Sequence, residues 1–255
     1  MTPETIHSCE KYSAVFLENI EKWALLNRID TKYVFPAEHL CSILKSLQQH
    51  YHILEIDGHK IFTYHNLYFD TSNLNMYLDH HNGKLNRYKV RYREYVETNT
   101  KFLEVKFKNN KERTIKTRIK VNEVKKELTK EEKKFLTSNS KYDPDNLQPL
   151  LFGDFNRISL VHKSQKERVT FDFNLSFQNK NRKTKLDKIV IAELKQDKFQ
   201  PGSVFAKKMK EIGISPERMS KYCLGTLLLN KQVKYNNFKP LMEKINSISC
   251  KHVFE

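Results

Sequence analysis

Several residue types that would indicate a specialised chain are scarce in this sequence. Six glycines and seven prolines among 255 residues are too few for a collagen-like or low-complexity chain. The four cysteines are far apart and form no Cys-x-x-Cys pair, which argues against a disulfide framework or a zinc ribbon and favours a reducing cytoplasm. Apolar runs such as Leu227 to Leu229 are far shorter than the ~20 residues of a membrane-spanning helix.

What the chain does contain is positive charge and aromatic residues. Lysine and arginine number 46 against 30 aspartates and glutamates, a formal net charge of +16. Hydrophobic residues make up 38% of the chain and aromatic residues 11%, enough to build a core. The first ten residues contain acids and lack an apolar segment, so we expect no secretory signal. These features predict a globular cytoplasmic protein with a polyanionic partner.

Hydrophobic patterning predicts an α+β fold of eight strands with helices at the edges, in one domain spanning residues 1–255. The expected strands are 26–35, 60–69, 86–96, 101–108, 112–121, 155–162, 168–173 and 188–195. The expected helices are 37–49, 72–79, 129–137, 203–212 and 216–230. The basic tail from Lys231 is expected to be weakly ordered. Short polar connections between the third, fourth and fifth strands indicate antiparallel hairpins.

Those three strands each have an apolar face and a cationic face, because side chains alternate along a strand. The cationic faces together contain Arg87, Lys89, Arg91, Arg93, Lys106, Lys108, Lys116, Arg118 and Lys120, with Glu104 as the one acid. A solvated sheet face usually mixes charges of both signs, since like charges on neighbouring strands repel. The pattern therefore predicts a face that binds an anion.

The anion could be a nucleic acid or a chain of phosphates. Proteins that bind single strands interleave exposed aromatic residues with basic ones, so that bases can stack. In these three strands the tyrosines and phenylalanines lie on the opposite, core-facing side. This arrangement favours bare phosphates, and we expect nucleic acid not to be the ligand.

At these residues the sequence resembles the polyphosphate polymerase domain of the vacuolar transporter chaperone (VTC) family, within the triphosphate tunnel metalloenzymes. The resemblance covers about residues 20–230 and depends on seven motifs in the family's order. The motifs are Arg28-x-Asp30-x-Lys32, Tyr68-Phe69-Asp70-Thr71, Arg91-x-Arg93, Leu103-Glu104-Val105-Lys106, Arg168 with Asp172, Glu193-Leu194-Lys195 and Ser220-Lys221-Tyr222. Hydrolases of the tunnel group have Glu-x-Glu-x-Lys at the first motif, whereas this chain has the basic-first variant.

The resemblance implies a closed tunnel of eight antiparallel strands in which the γ-phosphate of ATP passes to a growing polyphosphate chain. Its implied phosphate-binding residues are Lys32, Arg91, Arg93, Lys106, Arg168, Ser220 and Lys221, with Arg118 or Lys116 at the next basic position. Among them, Lys32, Arg91, Arg93, Lys106 and Lys221 are the implied catalytic residues. Glu193 is the implied ligand of a Mn²⁺ or Mg²⁺ cofactor. Eukaryotic relatives also suggest a membrane partner protein, which is not visible in the sequence.

Some alternatives stay open at this point. Asp30 and Glu104 could bind metal or balance charge, and charge balance is the favoured interpretation. A hydrolase of the same fold would cleave tripolyphosphate or nucleoside triphosphates. It needs carboxylates both to bind metal and to activate water. Since Glu193 is the one strong acidic candidate, a general base for water is harder to find, and phosphate is the favoured acceptor. A non-catalytic module could instead bind polyphosphate, inositol phosphates or RNA.

Overall fold

One large β-sheet organises the computed structural model, which describes residues 2–18, 29–111, 113–197, 200 and 202–249. Its strands are β1 (Ala14–Phe16), β2 (Ile29–Pro36), β3 (Tyr51–Glu55), β4 (Ile61–Thr71), β5 (Arg87–Tyr95), β6 (Thr100–Lys108), β7 (Thr114–Val121), β8 (Leu147–His162), β9 (Glu167–Gln178), β10 (Lys183–Leu186) and β11 (Ile189–Gln196). The helices are α1 (Pro3–Glu10), α2 (His39–Leu47), α3 (Asn75–His81), α4 (Lys130–Asn139), α5 (Val204–Glu211), α6 (Lys221–Leu229) and α7 (Lys239–Ser249), with 3-10 turns at Pro144–Asn146 and Asn236–Phe238.

Eight strands form the main ladder, in the order β2-β11-β9-β8-β4-β5-β6-β7, and neighbours along it are antiparallel. Each of the eight predicted strands corresponds to one of these, so the α+β class is confirmed. The sheet nevertheless has 11 strands, because three short strands add to this path: β3 pairs with β8, β10 with β9, and β1 with β3. These three are only three to five residues long, too short for a clear alternation pattern. Arg28, in the first motif, lies outside the described residues.

The sheet is strongly curved. Lys106 on β6 and Glu193 on β11 interact electrostatically, although they lie five strand intervals apart along the ladder. In a flat sheet that separation would be about 24 Å. The two halves of the sheet therefore face each other across a concave surface. Within the described residues no ladder joins the terminal strands β2 and β7, so the closed tunnel stays a prediction.

Two apolar clusters support the sheet. On one side α2 and α5 contribute Leu44, Leu47 and Phe205, which pack against sheet residues such as Phe171. The other cluster joins α3, α6 and α7 to the strands around β8. No helix in the described part of the chain has both the length and the apolar character needed to span a bilayer.

The segment after Lys231 differs from the sequence-based expectation. Instead of a weakly ordered tail, it forms α7, whose residues Leu241, Met242 and Ile245 are buried. Leu241 and Met242 are adjacent, and the charged residues Glu243 and Lys244 separate them from Ile245, which interrupts the apolar pattern of this basic tail. The predicted helix 216–230 is also shorter, because α6 begins only at Lys221 and Ser220 is its N-cap.

Gly225 brings α6 close to the sheet. A Cβ atom at this position would overlap the ring of Phe177 and lie 2.7 Å from Cδ2 of Leu151. Because protein cores are closely packed, α6 cannot keep its present distance from β8 and β9 with any larger residue here.

We predict that Gly225→Ala destabilises the protein by about 1–3 kcal/mol, since overpacking outweighs the better helix propensity of alanine. Chemical denaturation would measure the change. Gly202→Ala is the matched control, because an added methyl there meets no atom within 4 Å. A Gly225→Ala variant as stable as the parent would contradict the close approach of α6.

Candidate functional site

The concave surface of the sheet is lined by basic side chains from β5, β6 and β7. The cross-strand register places Arg91, Glu104 and Arg118 in one row, and Lys89, Lys106 and Lys116 in the next. Directly opposed residues in antiparallel strands point to the same face, so these rows share a face, as the alternation predicts. We call this surface the cationic face. It also includes side chains from β2, β8, β9, β11 and the start of α6.

Glu104 is the buried acid at the centre of these three strands, and it has no solvent exposure. Its Oε2 accepts hydrogen bonds from Nε and Nη2 of Arg91 at 2.9 and 2.7 Å, and its Oε1 is paired with Lys116. Burial alone would raise the pKa of Glu104, but Arg91, Arg93 and Lys116 hold it far below its usual range. These contacts favour the charge-balance interpretation for Glu104.

Asp172 on β9 forms a second buried ion cluster. Arg157 on β8 donates to both of its carboxylate oxygens, at 2.5 and 2.7 Å, and Lys221 at the start of α6 pairs with the same carboxylate. The two cations lower the pKa of Asp172 to about 2 despite burial. Sequence reasoning missed Arg157, because only the register that places it opposite Asp172 reveals its orientation.

Glu193 on β11 is a partly accessible acid, with 19% of its side chain exposed. It pairs with Lys195 on its own strand and lies 3.9 Å from Nζ of Lys32 on β2. Burial opposes ionisation, but Lys195 and Lys32 hold the pKa of Glu193 well below its usual range. Lys195 was part of a recognised motif, yet no role was predicted for it.

An extended segment before α6 connects the two halves of the cationic face. Nζ of Lys89 donates to Oγ of Ser220 at 2.8 Å, and Nζ of Lys32 donates to the carbonyl of Met219 at 3.1 Å. Burial lowers the pKa values of Lys89 and Lys221 to about 8. Lys89 had been counted on the cationic face but was not among the predicted site residues.

All ten predicted site residues lie on the cationic face, at different depths. Arg91, Arg93 and Lys106 line its centre, and the field of Arg91 together with burial places the pKa of Lys106 well below its ordinary value. Arg118 is more exposed, and its guanidinium lies 4.2 Å from the ring centre of Phe102. Arg168 shares the face of Asp172, toward the start of β9 and opposite Lys195.

Aromatic rings accompany these cations, contrary to the expectation from three strands alone. Arg93 and Arg157 lie 5.1 and 4.9 Å from the ring centre of Tyr64, and Lys221 lies 4.7 Å from that of Phe155. The expectation failed for two reasons. The face analysis did not include β4 and β8, which supply Tyr64 and Phe155, and it overlooked Phe102 on β6, which shares the face of Glu104. Tyr64 and Phe155 are 8% and 3% exposed, so they stabilise cations and are not open platforms for bases.

No cluster of three or more histidine, cysteine, aspartate or glutamate side chains suited to a metal ion occurs among the described residues. A site with fewer protein ligands still suits Mg²⁺ or Mn²⁺, since such ions are bound by one or two carboxylates together with substrate phosphates and water. Glu193 fits that requirement because it is ionised, partly exposed and on the cationic face. Glu104 and Asp172 are already enclosed by their cationic partners.

Comparison with known proteins decides the family. The sequence model of the VTC domain matches residues 27–230, which is more than half of the chain. The chain belongs to the VTC domain family. The VTC match includes all of the predicted site residues and the elements that contribute to the cationic face. No curated protein matches the sequence.

Comparison with solved structures finds matches to this VTC domain at low sequence identity. A candidate adenylate cyclase from Bacillus halodurans has 13% identity and a TM-score of 0.48, covering 76% of this chain and 94% of its own. A candidate adenylyl cyclase from Hippeastrum, described as having a dominant triphosphatase activity, has 14% identity and a TM-score of 0.46, covering 77% and 94%.

The lowered pKa values of Lys89 and Lys221 predict a pH-dependent affinity for anions. Both amines lose their charge as the pH rises through about 8, so each then loses a charge-assisted contact. We expect the dissociation constant for inorganic tripolyphosphate to rise by at least about tenfold between pH 7 and 9.5, since such contacts contribute about 1.5–3 kcal/mol each. Titration calorimetry would measure it.

The control is the double variant Lys89→Arg/Lys221→Arg, because guanidinium groups stay charged over this range. Comparing both proteins with the same ligand cancels the titration of tripolyphosphate itself. If the parent and the double variant show the same pH dependence, these two lysines do not bind the anion.

Proposed function

We propose that this chain is an ATP-dependent polyphosphate polymerase that transfers the γ-phosphate of ATP to a growing polyphosphate chain and releases ADP. In this proposal residues 1–255 form one catalytic domain, with its core at about 20–230, and the curved sheet closes into a tunnel around the substrate. Membership of the VTC family and the cationic face support the proposal. The partners are ATP and polyphosphate, and nucleic acid is not a substrate.

The observation that carries the proposal is the state of three acids on the cationic face; a fourth acid, Asp30, is exposed on the terminal strand β2, opposite Lys195. Glu104, Asp172 and Glu193 are each paired with at least two cations, and the pKa of each is lowered. A carboxylate with a pKa far below 7 is a weak proton acceptor, so none of the three suits general-base activation of water. A phosphate oxygen is already ionised and needs no base, which makes a phosphate chain the better acceptor.

The cations divide the binding work by chemistry. Arginine presents a planar fork to phosphate oxygens, whereas lysine acts as a compact point charge. Arg91 and Arg157 are each held by a buried carboxylate, so their side chains are oriented before the substrate binds. Phosphoryl transfer depends mainly on positioning and charge stabilisation, and preoriented cations supply both.

Glu193 is the residue that would hold the divalent cation, shared with substrate phosphates. A bound Mg²⁺ or Mn²⁺ would offset charge on the phosphate oxygens. Lys32 and Lys195 release part of their interaction with Glu193 when phosphate oxygens approach, since both amines can then pair with the substrate. Lys221, at the start of α6, and Lys89, on β5, would contact the terminal phosphate.

Incubating the protein with ATP and Mn²⁺ and following ³¹P NMR tests this proposal. We expect a growing signal from internal chain phosphates together with ADP, and neither in Arg91→Ala/Arg93→Ala. Orthophosphate as the sole new phosphate product would contradict the polymerase and favour the hydrolase. Unchanged ATP combined with measurable tripolyphosphate affinity would favour a binding module.

We further expect Glu193→Gln to abolish metal-dependent turnover while the protein stays folded, because an amide is a poor ligand for these ions. Activity as a function of Mn²⁺ concentration would measure the effect, and circular dichroism would confirm the fold. Glu211→Gln is the control, because Glu211 is an exposed residue of α5 and does not lie on the cationic face. Full activity in Glu193→Gln would remove Glu193 from the metal site.

A further inference from the structure

A buried carboxylate that is not one of the paired acids of the cationic face connects the first turn of α6 to the sheet. Asp70, at the end of β4, has no solvent exposure, and the hydroxyl of Tyr222 donates to its Oδ2. Tyr222 immediately follows Lys221, which pairs with Asp172 on the cationic face. The first turn of α6 therefore directs Lys221 to the cationic face and Tyr222 to Asp70. We call the hydrogen bond between Tyr222 and Asp70 the anchor.

The same carboxylate also organises α3. Oδ1 of Asp70 accepts a hydrogen bond from the backbone N–H of Met76, and Oδ2 accepts one from that of Tyr77, both at 2.9 Å. N–H groups in the first turn of a helix lack acceptors within the helix. The residue at the N-cap position, Leu74, offers no side-chain acceptor, so Asp70 fills that role from the preceding strand.

Apolar packing and the close approach at Gly225 restrict the rotation of α6 about its axis, and a directional contact in its first turn adds to them. Leu224, Leu227 and the close approach at Gly225 bury the helix against the sheet, but hydrophobic contacts are non-directional. The hydrogen bond from Tyr222 to Asp70 is directional and lies within the first turn. The ring of Tyr222 also packs on Tyr68 at 5.3 Å, and the hydroxyl of Tyr68 accepts from Nη1 of Arg91 at 3.4 Å.

We propose that Asp70 and Tyr222 are positioning residues, which orient the start of α6 so that Ser220 and Lys221 meet the phosphate to be transferred. This inference rests on the proposed function for its catalytic consequence. Both residues are buried, so they act through Lys221 and Ser220. The anchor helps to fix the helix rotation, and the ion pair with Asp172 then holds the amine of Lys221 above Phe155.

A second tyrosine–carboxylate pair in the same protein provides a matched control. The hydroxyl of Tyr51 donates to the buried carboxylate of Glu167, and neither residue is exposed. That pair belongs to the α2 and α5 side of the sheet, where Tyr51 is part of the apolar cluster. Tyr51→Phe and Tyr222→Phe thus remove the same kind of hydrogen bond, one away from the site and one beside it.

The experiment compares these two variants in turnover, tripolyphosphate affinity, melting temperature and the reactivity of the Lys221 amine toward acetic anhydride, read by mass spectrometry. We expect both variants to fold with a similar fall in melting temperature. Tyr222→Phe should lower kcat by about 10–100-fold with KM for ATP within about threefold, since small misplacements mainly affect the transfer step. Tyr51→Phe should keep kcat within about twofold of the parent.

Labelling of Lys221 in the folded protein separates this inference from the proposed function, because it needs no catalysis. We expect its rate to change by at least about threefold in Tyr222→Phe and not in Tyr51→Phe, as the amine loses its fixed surroundings. Asp70→Asn, which keeps the side-chain size, should repeat the pattern. Unchanged labelling and unchanged kcat in folded Tyr222→Phe would overturn the inference. A parent that forms no polyphosphate would overturn the proposed function alone, leaving the labelling to decide the anchor.

Discussion

The rest of the structure depends on the mutual repulsion of cations held on one concave surface. Lysines and arginines from β2, β5, β6, β8 and β11 face each other there, and burial deprives them of the water that would screen them. The consequence is visible in the lowered pKa of Lys106, for which the field of Arg91 is the largest cause. Such a surface needs compensating negative charge, and three acids supply part of it, each by pairing with two cations.

The same compensation gives the site its chemical character. Each acid holds its cations in a defined orientation. Because these cations lower the pKa of the acid, the same pairing makes it a poor base. Aromatic rings from β4 and β8 add a second form of stabilisation, because the face of Tyr64 lies near two guanidinium groups without offering a competing negative charge. The site is therefore suited to binding and orienting phosphates, whereas activation of water would require a less strongly paired carboxylate.

Helix α6 connects this electrostatic surface to the apolar core. Its first turn contributes Ser220 and Lys221 to the cationic face, while its following residues are buried against β8 and β9. Gly225 permits the close approach, and Asp70 links α6 to α3 through hydrogen bonds. Stability and function thus share one element, so that changes in helix packing are transmitted to the amine of Lys221.

The sequence by itself determined the eight principal strands and the cationic side of β5, β6 and β7, because strand alternation is a local property with a period of two. Motif order likewise led to the family, and local spacing was sufficient for Arg91 and Arg93. Only the tertiary structure decided the partners of each charge. Arg157 meets Asp172, and Lys89 meets Ser220, through register and curvature that bring together residues 15 and 131 positions apart. Such contacts depend on the whole sheet, so no local pattern could predict them.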